Sequence, residues 1–332
     1  MRTPWVAGAG GMACVGGSVA VSGTLSAAPL MTTQAIRYAI AVVLLVGIAR
    51  LTGRRIPVPR GAEWLWLVGV AGAGLVLFNV ALVRGAAHAE PAVFGVAIAG
   101  VPLVLALVGR PRRSVVLGAA VVTAGAALVE GGGRTDLAGL GWAALVLACE
   151  VGFTLLAVPV LGRLGPWGVA VHSCSIAVVL LGTIGWVVEG PTAVTTLTPA
   201  HLFAVGYLAV AVTALAFVLW YGAVAALGPG RAGLLTGVVP VAAAGVGAVL
   251  GGPVPGPAVW AGIVLVGVGL ALGVTDGAVP RRARTTRRGG AASDGVVRRR
   301  AGDRATRRGA AASDEVVRRQ AVAEMLSGGA GR

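Results

Sequence analysis

Lysine is absent from this chain: all 27 basic residues are arginines, set against 12 acids, 3 histidines and 3 cysteines. Charge of either sign is scarce at 12% of residues, and a soluble domain usually carries about twice that fraction. With 57% hydrophobic residues and a mean hydropathy of +0.89, no water-soluble fold can hide the apolar surface. The other scarcities each remove a class of chemistry. Cys14, Cys149 and Cys174 fall inside apolar runs and match no metal-ligand spacing, so they are expected as small buried residues. No glycine run leads into Gly-Lys-Ser/Thr, so no phosphate loop drives pumping. Nucleophile, metal and His/Asp constellations are missing too, and neither catalytic residues nor a cofactor is expected.

What is present is a series of ten apolar stretches, at 5–22, 31–50, 64–83, 90–109, 114–130, 139–160, 168–188, 201–223, 232–251 and 256–274. A helix that crosses a bilayer needs about 20 mostly apolar residues. The expected fold class is therefore an all-α integral membrane protein with ten transmembrane helices. The first stretch also has features of a secretory signal, with Arg2 ahead of it and Ser26-Ala27-Ala28 behind. Its removal would leave nine helices and break the symmetry described next.

The arginines sort by side. With the N-terminus in the cytoplasm, inner segments hold Arg2, Arg50, Arg54, Arg55, Arg60, Arg110, Arg112, Arg113, Arg163, Arg231 and fourteen arginines beyond Pro280. Outer loops hold only Arg84 and Arg134. This satisfies the positive-inside rule and places both termini in the cytoplasm of a multi-pass protein of the cytoplasmic membrane.

The chain also resembles itself. Gly85 precedes Pro102 by 17 residues and Ala223 precedes Pro240 by 17, an offset of 138. Gly118 and Gly125 in LGAAVVTAG correspond to Gly262 and Gly269 in AGIVLVGVG at an offset of 144, which puts a short insertion in the Gly251–Pro257 loop. Five helices per half is odd, so the second half enters the membrane upside down: an inverted 5+5 repeat, with a first unit at 5–130 and a second at 139–275. Glycine-rich apolar helices also look alike by composition alone.

The run from Ala214 to Ala223, with Trp220 and Tyr221, leads into Leu227-Gly-Pro-Gly-Arg231-Ala-Gly-Leu234-Leu235-Thr236 and Pro240. The first half adds Arg37, Leu77-Phe78-Asn79 and Pro102. This ordered series resembles the EamA-type transporters of the drug/metabolite transporter superfamily over residues 5–275. The resemblance implies a ten-helix bacterial inner-membrane carrier, often an exporter of metabolites, amino acids or drugs. Family members often carry glutamates just before the helix-nine proline and in the following loop. Val239 and Gly251-Gly252-Pro253 stand there instead, so roles assigned to those acids do not transfer.

A few polar residues interrupt the apolar segments. Glu150 lies near the bilayer centre, where a carboxylate costs about 2.5–3.5 kcal/mol on insertion scales and should face the bundle interior. It is the leading candidate for proton coupling or for binding a substrate ammonium, against a protonated acid hydrogen bonded between helices. Arg37 lies roughly 10 Å inside helix two, where it can snorkel outward, pair with Glu150 or meet an anionic substrate group. His172 is either a proton relay or an interfacial hydrogen-bonding group. Trp220 and Tyr221 suit either a stacked substrate cation or the aromatic belt, as Trp64 and Trp66 do the belt. Glu90, with His88, starts helix four, where a capping role is expected. Pro102 and Pro240 break helices at matching places and are expected to kink them or line a cavity.

Beyond Val279 the composition changes to Arg, Ala, Gly, Ser and Asp. Thr286–Ala301 repeats as Thr306–Ala321 with 13 of 16 positions identical. This segment, 280–332, is expected to be disordered and to associate with the anionic inner leaflet through its arginines. It lacks the aromatic residues or folded reader that nucleic-acid binding needs. Together these features predict a secondary transporter that moves a small-molecule substrate by alternating access, in the export direction, with proton coupling and homodimer formation left open. The competing reading is a non-transporting sensor or scaffold with a lipid- or partner-binding cationic tail.

Overall fold

A computed structural model describes residues 3–108, 112–251 and 255–275, and the Arg-rich tail with its repeat lies outside them. The described residues form ten helical stretches: α1 (Thr3–Gly16), α2 (Leu30–Leu51), α3 (Glu63–Gly85), α4 (Pro91–Val108), α5 (Arg113–Glu130), α6 (Leu137–Leu155), α7 (Val158–Val188), α8 (Pro199–Leu227), α9 (Pro229–Val249) and α10 (Pro257–Thr275). Among these residues the only extended pairing is a single antiparallel bridge, Ala89 with Thr135. By length and composition, the nine helices α2 to α10 can cross a membrane. The reason for helix is physical: with no water in the hydrocarbon core, every backbone N–H and C=O must be paired within its own segment.

Where the helices start follows from local chemistry. Pro91, Pro199, Pro229 and Pro257 occupy first helical positions, where a missing N–H costs nothing. Thr198 and His201 form a reciprocal capping box on α8, and Asp136 accepts a hydrogen bond from the Gly139 N–H (2.7 Å) at the start of α6. Glu90 departs from its expected role. It holds the N-cap position of α4 without capping it, and its carboxylate reaches across to the Arg134 Nε (2.8 Å).

Where the helices break is more informative. The stretch expected at 5–22 ends after Gly16 and resumes as the short turns Val19–Ser22 and Gly23–Leu25. Gly16-Gly17-Ser18 is a weak helix former, and Gly17 is pressed against the Tyr207 hydroxyl, 2.7 Å from where a Cβ would sit. In α7, Gly165 takes φ 67°, so the membrane stretch proper begins at Pro166 and residues 158–164 form a separate short helix. Before Pro102 the turn lies at Gly100, and before Pro240 a 3₁₀ stretch, Leu234–Gly237, does the same, because proline supplies no N–H to the preceding turn. Two further irregularities are π-helical: Ala71–Leu77 inside α3 and Leu208–Leu215 inside α8.

Neighbouring helices meet through small residues. A Cβ on Gly125 would sit 2.7 Å from the Gly262 carbonyl oxygen, and one on Gly262 would sit 2.6 Å from that of Gly125. Gly118 and Gly269 stand in the same reciprocal relation, at 2.8 and 2.7 Å. Thus α5 and α10 run antiparallel with their backbones in contact, the kind of packing available in lipid. The largest buried cluster lies around α2, α3, α7 and α8, with Tyr38, Leu45, Leu67 and Leu181 fully buried.

The two ends of the bundle differ. At one, here called the Glu130 end, the Glu189 carboxylate that closes α7 accepts hydrogen bonds from the Met31 N–H (2.7 Å), the Thr32 N–H (2.8 Å) and the Thr32 hydroxyl (2.7 Å), capping α2. At the opposite end Glu63 pairs with Arg163, whose guanidinium also donates to the Val58 carbonyl.

Candidate functional site

A cavity of about 460 Å³ lies among the helices and extends to the Glu130 end. Its walls come from α1, α2, α3, α4, α6, α8 and α9, with Glu130 added by the last residue of α5. Toward the opposite end it is shut by α4 against α9. There a Cβ on Gly230 would sit 3.3 Å from the Leu105 carbonyl oxygen and one on Gly233 3.1 Å from the Leu105 side chain.

Glu150 lines the cavity, thirteen residues along α6 and so roughly 20 Å from that helix's start. No described residue donates a hydrogen bond to its carboxylate. A cavity-facing acid with no partner among the described residues keeps its binding capacity for something that enters the cavity, a proton or a cation.

Arg37 also lines the cavity, and its partners are neutral. Nε donates to the Thr213 hydroxyl at 2.7 Å and a terminal nitrogen donates to the Gln34 side-chain oxygen at 3.2 Å. The expected alternative of an ion pair with Glu150 does not occur among the described residues. Thr213 belongs to the π-helical stretch of α8, so Arg37 ties α2 to an irregular segment far away in sequence. Its guanidinium carbon is also 5.3 Å from the centre of the Tyr38 ring.

The aromatic pair separates. Trp220 faces the cavity, whereas Tyr221 is fully buried behind it and donates a long hydrogen bond (3.4 Å) to the Phe153 carbonyl. The Phe153 and Phe217 rings are 5.0 Å apart and both line the cavity, so this wall is aromatic. His172 lies elsewhere: its Nε2 is 3.0 Å from the Pro57 carbonyl oxygen and its ring meets Trp64 edge-on at 5.9 Å. Pro102 and Pro240 are buried, and the residues just before them, Val101 and Val239, are the ones that reach the cavity wall. Asn79, noted above only as part of the resemblance, lines the cavity with its side-chain amide donating to the Leu75 carbonyl at 2.7 Å.

Among the polar lining residues that the sequence reading passed over are Glu130 and Gln34. Glu130 ends an apolar run and looks like a boundary residue, yet its side chain packs on Gly95 of α4 and faces the cavity. The available signal was a carboxylate at a helix C-terminus, where the helix dipole disfavours it.

Residues 137–275, from the first residue of α6 to the last of α10, match the EamA-like transporter family. The second half of the chain belongs to that family. It thereby belongs to the drug/metabolite transporter superfamily, as the motif series had indicated. No curated protein matches the chain. Among solved structures 26 chains match. One, a crystal structure 19% identical in sequence, superimposes with a TM-score of 0.70 over 83% of this chain and 99% of its own, which shows a shared fold.

Proposed function

We propose that this EamA-family membrane protein is a secondary transporter, which moves a small metabolite, amino acid or drug outward across the cytoplasmic membrane by alternating access. In this reading the ten helices form an inverted 5+5 repeat, both termini are cytoplasmic, and the Glu130 end faces outward. The observation that carries the proposal is the cavity itself: seven helices surround a mid-helix carboxylate that no described residue partners, open toward one end and sealed at the other.

Three features support the inverted repeat. The offset of 138 carries the π-helical stretch 71–77 onto 209–215, where the second one lies. The offset of 144 makes Gly118 the counterpart of Gly262 and Gly125 that of Gly269. The contacts then pair Gly118 with Gly269 and Gly125 with Gly262, the crossed pairing a two-fold relation requires. Gly8 of α1 abuts Ala223 of α8, and Gly85 of α3 abuts Trp142 of α6, so α1 meets α8 as α6 meets α3. Rocking one half against the other would open the α4–α9 seal and close the mouth, with π stretches and proline breaks supplying backbone that can readjust.

Glu150 is the coupling or substrate-ammonium group in this scheme, Arg37 orients the substrate or the α8 irregularity, and Trp220 forms part of the wall. The test is counterflow in proteoliposomes with a metabolite panel, monitored for proton movement. The expected result is substrate exchange that Glu150→Gln abolishes in correctly folded protein. Full exchange by Glu150→Gln removes the coupling role, and no exchange of any compound by the wild-type chain favours a sensor or scaffold instead.

A further inference from the structure

Besides the Tyr38 phenol, the cavity lining holds one base, Arg37, and two acids, Glu130 and Glu150, and their partners do not cancel. Arg37 spends its hydrogen bonds on the neutral Thr213 hydroxyl and Gln34 amide. Glu150 and Glu130 receive no hydrogen bond from any described residue. With both acids ionised the lining carries two negative charges against one positive. A cavity walled in part by the apolar rings of Phe153, Phe217 and Trp220 solvates that imbalance less well than bulk water does, which favours entry of a cation.

The position of Glu130 is built rather than incidental. It is the last residue of α5, where the helix's negative pole works against a carboxylate. Space for its side chain exists because residue 95 of α4 is glycine: a Cβ there would collide with the Glu130 carboxylate. Counting residues at 1.5 Å each, Glu130 lies at the mouth, Arg37 roughly 10 Å in and Glu150 roughly 20 Å in. Along the cavity the charges therefore alternate: acid, base, acid.

We infer that Glu130 is the outer of two carboxylate stations for an organic ammonium ion with an apolar or aromatic body, with Glu150 the inner station. The cation sheds water against the aromatic wall, which contributes cation–π attraction. Arg37 lies between the stations, and its charge repels a cation from resting midway. This deepens the carrier reading and rests on it for the direction of travel, but not for the binding itself.

Equilibrium binding to the purified full-length protein tests it with three probes that share one ring: 2-phenylethylammonium, neutral 2-phenylethanol and zwitterionic phenylalanine. The wild type should bind the ammonium most tightly. Glu130→Gln and Glu150→Gln should each weaken it by about tenfold, the scale of one lost charged hydrogen bond, and leave the alcohol unchanged. Gly95→Ala, which displaces the carboxylate without altering charge, should mimic Glu130→Gln, and Glu130→Asp should keep most of the affinity. These two variants carry the test if Glu130→Gln does not fold.

Equal ammonium binding by wild type and Glu130→Gln overturns the inference, as does alcohol or phenylalanine binding as tight as the ammonium, or no binding of any probe. If counterflow proceeds while Glu130→Gln keeps full ammonium affinity, the carrier stands and the outer station falls. If binding depends on Glu130 but no compound is exchanged, the cation site stands and the carrier falls.

Discussion

The α5–α10 seam and the central cavity are built from similar apolar segments and use glycine in opposite ways. At the seam, Gly118, Gly125, Gly262 and Gly269 bring two backbones into contact and leave no space. At the cavity, Gly95 makes room for a charged side chain, and the groups that resist burial, Glu130, Glu150 and Arg37, collect there. In lipid, apolar side chains gain little by leaving the solvent, so tight association falls to small residues and polar groups gather where cavity or partner accepts them. One region is made to hold, the other to bind.

The contrast can be broken most severely at the seam. Gly125→Val forces a branched side chain onto the Gly262 backbone, an overpacking cost of at least roughly 1–3 kcal/mol. The expected outcome is loss of monodisperse folded protein by size exclusion and thermal melting. Gly267→Val, on the same α10 but with nothing within 4 Å of its added Cβ, should fold normally. Equal behaviour of the two would remove the seam's special role. In the cavity the opposite pattern is expected: Glu150→Gln should melt as the wild type or slightly higher, while exchange falls by about 30-fold or more.

How much of this was legible in the sequence depended on which forces decide each feature. The span at 114–130 was readable to within one residue of α5, because bilayer thickness and the flanking arginines bound it locally. The glycines of α5 and α10 were recognised as matching pairs, but their crossed contact was not, since it depends on two helices meeting. The π stretches at 71–77 and 208–215 contain no proline and had no local signature. For Arg37 the sequence left open an outward snorkel, a pair with Glu150 or a contact with an anionic substrate group, whereas its hydrogen-bond partner Thr213 is brought near by tertiary packing. Glu130 escaped notice because its orientation is decided by Gly95 on another helix.

Smaller perturbations sharpen the contrast between the two ends of the bundle. Glu189→Ala removes three hydrogen bonds at the start of α2 and should cost about 1–2 kcal/mol, lowering the melting temperature by a few degrees without abolishing exchange. An unchanged melting temperature would show that the α7–α2 cap is dispensable. The smallest effect is expected at Asp136. The Gly139 N–H and then His88 hold its carboxyl below the ordinary value of 3.8. A lowered folded-state pKa stabilises the fold above that value, and the contribution disappears as the pH drops through the folded-state pKa. Asp136→Asn should lower the melting temperature slightly at neutral pH, where the carboxylate contribution is present, and converge on the wild type as the pH falls below 3.8. A profile identical to the wild type would contradict this.

Alternating access itself is tested most directly by thiol accessibility in a background free of Cys14, Cys149 and Cys174. Cysteines would be placed at Leu82, on the cavity wall, and at Ala106, buried near the α4–α9 seal. A membrane-impermeant reagent should label Leu82→Cys from the Glu130 side while Ala106→Cys is protected. Conditions that drive turnover should lower the first reactivity as they raise the second from the opposite side. Ala106→Cys protected throughout active exchange, or both positions reactive at once as in an open channel, would contradict a carrier built around this cavity.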